Sequence, residues 1–313
     1  MSTDEARIAY AVEAFKHPEQ VNLLLRQLLG DGSADVYVHL DAKTAPSIAP
    51  RLIRHPRLRV LREHLDVRWG DISSVDCSLL LLREVLASGK PYDFVVLRSG
   101  QDLMVRRGFG QHLAGFRGKS LLSAGRIADD DRFSSFPNLR WPGFARELYD
   151  SPHPYRIARA LLIRLWELGL RPLHNPDRLP RRFALYSGSA WLCLAMPHVE
   201  YVLGFLKDHP WFYRAFENAL VPDEWFFQTL LMNSPVAGEL IERVPVYLRW
   251  GTTARDRNHP VILSARDIPE IERSGEYFAR KFDLGIDAAV VDHFVRKTAL
   301  AERERGSPGL AEG

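Results

Sequence analysis

Cysteine is nearly absent from this 313-residue chain, which has only Cys77 and Cys193. Two thiols cannot build a disulfide framework, and they fit a reducing compartment. An excess of charge of one sign is also lacking: 42 Lys and Arg stand against 39 Asp and Glu, a formal net charge of +3. That balance argues against a bulk nucleic-acid binder, which carries a concentrated basic footprint. No apolar run approaches the ~20 residues that a membrane helix needs. The opening MSTDEARIAY has no basic region followed by an apolar one, so no secretory signal is visible. These absences give the expectation of a soluble, cytoplasmic protein, with peripheral membrane contact left open. Repeats and low-complexity tracts are missing too. Hydrophobic residues at 46% and charged ones at 26% allow a packed core and exclude wholesale disorder.

Two phosphate-binding signatures are also missing. Gly108-Phe109-Gly110 is followed by Gly115, the wrong spacing for G-x-G-x-x-G, and does not follow the first strand. No G-x-x-x-x-G-K-[ST] occurs. The sequence thus argues against a standard NAD or P-loop site, and no H-E-x-x-H occurs.

What is present is an alternation of two periodicities. Ile8 to Phe15 is an apolar run of strand length. Val21, Leu24, Leu25 and Leu28 then mark one helical face, with Pro18 near its start and Gly30 after its end. Asp35 to Leu40 returns to strand character, Leu58 to Leu61 is a third strand candidate, Ile72 to Ser88 is a helix, and Tyr92 to Leu97 is a fourth strand. This order predicts an α/β fold with a mostly parallel sheet flanked by helices. Such sheets bind ligands beyond the carboxyl ends of their strands. There the chain places Lys16-His17, Asp41-Ala42-Lys43 and Ser99-Gly100-Gln101-Asp102. Residues 117–182 are irregular apart from a helix over Tyr155 to Leu168, and read as a lid or surface excursion. Beyond them come a strand over Phe183 to Leu194, helices over His198 to Leu206 and Pro222 to Met232, a strand over Val244 to Trp250, and a last helix from Ile286 to near Arg303. Residues 306–313 are expected to fray.

Three segments carry candidate chemistry. In Val221-Pro222-Asp223-Glu224-Trp225-Phe226, a proline and two acids suit a helix start. Alternatively, Glu224 is a general base, kept ionised by a dipole and a nearby cation and pushed back up by burial against Trp225 and Phe226. In Tyr277-Phe278-Ala279-Arg280-Lys281-Phe282-Asp283, the phenylalanines face the core. Arg280 and Lys281 are then either two solvated cations or partners of a phosphate. In Tyr186-Ser187-Gly188-Ser189-Ala190-Trp191, small residues allow close approach of a ligand or another backbone, and Trp191 can stack on a sugar. Asp129-Asp130-Asp131 satisfies a literal D-x-D for a divalent metal, but it follows no clear strand. The basic stretch from Arg171 to Arg182 suits an anionic or protein partner.

Together these segments resemble the core-2/I-branching glycosyltransferases (family 14), which include the peptide O-xylosyltransferases. The resemblance runs from Ile8 to about His293. It is carried by AFKHPEQ (14–20), VYVHLDAK (36–43), RWGDIS (68–73), YDFVVLRSGQD (92–102), YSGSAWLCL (186–194), VPDEWFFQTLLMNS (221–234), HPVIL (259–263) and FARKFD (278–283). It implies a GT-A-like fold in one large domain over 1–305, with a nucleotide-binding half at 8–102, a variable insertion at 103–182, and an acceptor and catalytic half at 183–305. It also implies inverting transfer of N-acetylglucosamine or xylose from a UDP-sugar to a glycan hydroxyl, with no metal or other cofactor. Carried onto this chain, Glu224 is the base and Lys281 the diphosphate partner. Arg257, His259 or Arg280 supplies a second cation; Asp41, Ser99 and Gln101 contact the donor; Asp102, Gly188, Ser189, Trp191, Asp223 and Trp250 contact sugars or acceptor. Phe15, Asp71 and Leu103-Met104 depart from the family pattern and bear on donor preference. The missing anchor and disulfides point to a bacterial-type cytoplasmic enzyme. The alternatives are a metal-dependent transferase using Asp129 and Asp131, and a non-catalytic UDP-sugar binder.

Overall fold

In the first hundred residues, clean periodicity becomes regular structure. The computed structural model describes residues 5–128, 131–144, 154–252 and 260–299. Strand β1 (Ile8–Ala14) leads into a helix over Pro18–Gly30, whose buried face includes Val21, Leu24, Leu25 and Leu28. Strands β2 (Asp35–Leu40) and β3 (Leu58–Val60) follow, then a helix over Ser73–Ala87 and strand β4 (Phe94–Ser99). β1 pairs in parallel with β2 on one side and β4 on the other, and β2 pairs in parallel with β3. Every residue of β2 and β4 is buried, as expected of strands covered on both faces.

The remaining strands are short. They are β5 (Leu103–Met104), β6 (Ser120–Leu122), β7 (Gly125–Ile127), β8 (Leu185–Ser187), β9 (Cys193–Ala195), β10 (Leu240–Glu242), β11 (Val246–Leu248) and β12 (Phe278–Arg280). The seven-stranded sheet runs β10-β6-β9-β4-β1-β2-β3. It is parallel except at β9, which runs antiparallel to β4 and β6. This is the mixed α/β architecture expected, consistent with a GT-A-like fold. A second sheet, β11-β12-β5, lies beyond it, and β7 pairs with β8 in a two-stranded ribbon. No helix among the described residues is long and apolar enough to cross a membrane.

Three expectations need correction. The single strand over Phe183 to Leu194 is two strands in different sheets, β8 and β9, separated by residues 188–192. The helix over Pro222 to Met232 is a 3-10 turn at Pro222–Glu224, then an α-helix only from Phe226 to Met232. The FARKFD segment contains a strand, β12, inserted between β11 and β5. Helices over Phe109–Ala114, Pro210–Glu217 and Ile268–Ser274 add to those anticipated.

One buried side chain ties distant parts of the fold together. Gln20 Nε2 donates to Gly100 O (3.2 Å) and Phe282 O (3.0 Å), and its Oε1 accepts from Leu284 N (2.8 Å). The amide thus joins the first helix, the loop after β4 and the segment after β12.

Candidate active site

Two cavities meet where β1, β2 and β4 end. The first, about 340 Å³, is lined by the ends of those strands (Glu13, His39, Asp41, Ser99, Gln101) and by Ser74, Cys77 and Ser78 from the first turns of the helix after Gly70. The second, about 590 Å³, holds Glu224, Gly188, Ser189, Leu248 and Trp250. Trp69, Ala190, Trp191, Asp223, Arg280 and Lys281 line both. Position 281 therefore faces the same space as Glu224 and the same space as Asp41.

The Asp223-Glu224 turn is held against its own preferences. Val221 sits in the left-handed region (φ 52°), where a β-branched residue pays strain of about 1–3 kcal/mol. Its N–H donates to Gly70 O at 3.0 Å, and Gly188 N–H donates to Glu224 O at 2.9 Å. On its other contact Gly188 lies close against Ser123, where a Cβ would sit 1.8 Å from Ser123 O. The helix after the turn then fastens β8 with its side chains. Thr229 Oγ1 accepts from Tyr186 N and donates to Tyr186 O, Gln228 Nε2 donates to Ser189 O, and Asn233 bonds both Ala184 N and Ala184 O. These polar groups occupy backbone atoms that a neighbouring strand would otherwise satisfy.

Burial sets the electrostatics. It raises the Asp223 and Glu224 carboxyls above the usual carboxylate range, and repulsion from Asp223 raises Glu224 further. Burial comes first and Asp223 second among the causes that raise Glu224. Arg280 lowers the Asp223 value. Glu13 is pushed up to about 7, chiefly by burial, although Ser78 Oγ donates to it at 2.9 Å. His39 is held down to about 4 by burial and by His64. His39 Nε2 accepts from Leu65 N, so the neutral ring carries its hydrogen on Nδ1, 3.1 Å from Cys77 Sγ.

Arg280 is the buried cation at the junction. Its guanidinium lies 4.1 Å from the Trp191 ring centre, and its Nε is 3.5 Å from Asp102 Oδ1. Burial outweighs the pairing on both sides, lowering the Arg280 pKa and raising that of Asp102. Arg280 Nη1 and Asp223 Oδ1 are buried without a hydrogen-bond partner, whereas Arg280 Nε faces Asp102. Unspent polar groups of this kind, beside a cavity, suit a polar ligand.

A family model described as Core-2/I-Branching enzyme matches residues 156–272, which include the Asp223-Glu224 turn. The chain is 24% identical over 299 residues to a xylosyltransferase of Ciona intestinalis, covering 88% of this chain and 32% of the relative. It is 24% identical over 304 residues to xylosyltransferase 1 of Homo sapiens, covering 88% and 28%. It is 21% identical over 309 residues to beta-1,3-galactosyl-O-glycosyl-glycoprotein beta-1,6-N-acetylglucosaminyltransferase 4 of Danio rerio, covering 91% and 68%. Over these spans the chain is similar to the core-2/I-branching enzymes. It spans about a third of the length of the xylosyltransferases that it matches.

Most of the residues singled out in the sequence converge. Asp41, Ser99 and Gln101 line the first cavity, Glu224, Gly188, Ser189 and Trp250 the second, and Trp191, Asp223, Arg280 and Lys281 both. Asp102 does not join them. It is fully buried and contacts Ser99 N and Arg280 instead of lining either cavity. Arg280 is not a solvated cation, because Asp102 and Trp191 enclose it. Asp131 caps the 3-10 turn at Arg132–Ser134 by accepting from Phe133 N. Arg257, His259 and Asp129 lie outside the described residues. Sequence reasoning overlooked Glu13 and set Trp69 aside as a tryptophan more often core or interface than ligand platform. Glu13 had a signal, an acid inside an otherwise apolar strand; Trp69 had none beyond its place in RWGDIS.

Proposed function

We propose that this chain is an inverting glycosyltransferase that moves a sugar from a UDP-sugar to a hydroxyl of a glycan acceptor. N-acetylglucosamine and xylose are the candidate sugars, following the names of the proteins it resembles. The observation that carries the reading is the junction of the two cavities. A carboxylate lies on the second, Lys281 and Arg280 with its unspent Nη1 lie on both, and Asp41, Ser99 and Gln101 line the first.

In this reading the first cavity takes the nucleotide and the second takes the acceptor. Glu224 removes the proton from the acceptor hydroxyl as that oxygen attacks the anomeric carbon. The bond from that carbon to the diphosphate breaks on the opposite face, and UDP leaves with the electron pair. Lys281 and Arg280 neutralise the charge that develops there, in place of a metal. Asp102 is a positioning residue that holds Arg280 at the junction. Enclosure of Arg280 by Trp191 and Asp102 means that little reorganisation is needed when charge appears. The two buried, unbridged thiols fit the further expectation that the enzyme works in the cytoplasm.

A UDP-release assay over a panel of UDP-sugars, with and without EDTA, tests this reading. Glu224→Gln is expected to lose transfer by about 10²–10⁴-fold, the range for a general base, while UDP binding measured by calorimetry persists. Turnover retained by that variant reassigns the base. A strict requirement for Mn²⁺ restored after EDTA overturns the metal-independent step and turns attention back to Asp129 and Asp131.

A further inference from the structure

The irregular insertion presents an apolar surface that the proposed transfer does not use. The helix over Tyr155–Glu167 has two apolar faces. Its inner face includes Trp166, which is buried and donates through Nε1 to Ser134 Oγ at 2.9 Å. Its outer face carries Ile157, Leu161 and Leu168 at i, i+4 and i+11, a spacing that keeps them in one stripe. Their exposures are 75%, 57% and 62%. Leu170 and Leu173 extend the patch just past the helix, both more than half exposed. Scattered exposed apolar residues are ordinary, but an ordered stripe is not.

The charge around this stripe is one-sided. Residues 154–182 contain seven arginines and two carboxylates, Glu167 and Asp177. Glu167 is paired with Arg164 at 2.9 Å, and Asp177 lies 3.9 Å from Arg214. Arg156, Arg164, Arg171, Arg178, Arg181 and Arg182 are all exposed. An apolar stripe bordered by arginines matches one kind of surface, an anionic headgroup layer over acyl chains. A soluble anionic polymer would satisfy the arginines but leave the leucines in water.

We propose that this helix and the segment to Arg182 dock the protein on the surface of an anionic bilayer, lying in the interface plane without crossing it. Ile157, Leu161 and Leu168 enter the acyl boundary, and the arginines meet the headgroups. The contact is independent of whether the chain transfers sugar, so its test reads binding alone.

The test is sedimentation of the full chain with vesicles of phosphatidylcholine containing phosphatidylglycerol, against vesicles of phosphatidylcholine only. Binding is expected to the anionic vesicles and to weaken as salt rises. The double variant Ile157→Asp/Leu161→Asp, whose sites are exposed, is expected to bind at least about tenfold more weakly. Arg156→Glu/Arg171→Glu should do the same through charge. Hydrogen exchange on wild-type protein should slow over residues 155–168 when the anionic vesicles are added. Absence of vesicle binding overturns the proposal, as does equal binding by the variants. Sedimentation equilibrium showing a wild-type dimer that Leu161→Asp splits also overturns it, by assigning the stripe to a second copy.

Discussion

At the ends of β1, β2 and β4, site residues are positioned by backbone ladders: β1 alone shares six paired positions with each neighbour. Around Glu224 the strands are three residues long, and the work passes to side chains and close backbone contacts. Gln228, Thr229 and Asn233 grip β8, Gly188 donates to Glu224 O, and Gly70 O restrains the strained Val221. A ladder shares its load over many equivalent bonds. A side-chain clamp concentrates it in a few, so single substitutions in the second region should disturb geometry more than those in the first.

The largest expected departure follows from the chemistry concentrated in that second region. Lys281→Ala should lower kcat by roughly a hundredfold, the usual cost of one missing donor to a developing charge, with the folded state kept. A loss confined to KM would mean that Lys281 contributes ground-state binding only.

A pair of glycines tests the clamp-against-ladder contrast directly. In Gly188→Ala the new methyl meets a backbone carbonyl at 1.8 Å, whereas in Gly100→Ala it meets the Val21 side chain at 3.0 Å and Ala14 Cβ at 3.3 Å. Overpacking of this kind costs about 1–3 kcal/mol, so denaturant melts should put Gly188→Ala at or above the top of that range and Gly100→Ala near the bottom. Gly188→Ala should also slow turnover, because Gly188 N–H holds Glu224 O. Equal destabilisation by the two would remove the contrast.

The smallest effect expected is in the pH profile. Glu224 must be ionised to take a proton, and burial with Asp223 raises its pKa. Its ionised fraction, and the rate with it, should therefore climb as pH rises through a midpoint above the ordinary carboxylate range. Replacing Asp223 with Asn removes the repulsion and should move that midpoint down. A midpoint near that of a free carboxylate would show that Glu224 is better solvated when substrate is bound.

The same contrast explains what could be read from the chain alone. The first region was legible because its strands and helices are long enough to show their period: β2 spans Asp35–Leu40, and the first helix ends at Gly30. Asp41, Ser99 and Gln101 could be placed by the rule for strand ends. Three-residue strands show no period, so β8 and β9 merged into one expected strand and β12 passed unnoticed. The burial of Arg280 depends on Asp102 and Trp191, 178 and 89 residues away in the chain, and no local pattern records such a partner. Glu224 and Lys281 were candidates from the chemistry of their own segments, each beside a bland alternative, and the family resemblance assigned their roles.

The Gln20 amide has a consequence for biosynthesis. Because it closes only when Phe282 and Leu284 reach it, and Lys281 lies beside them, translation must pass Leu284 before the site can assemble. The early sheet can form during translation, but until then the nascent protein holds an unfinished first cavity and no neighbouring lysine.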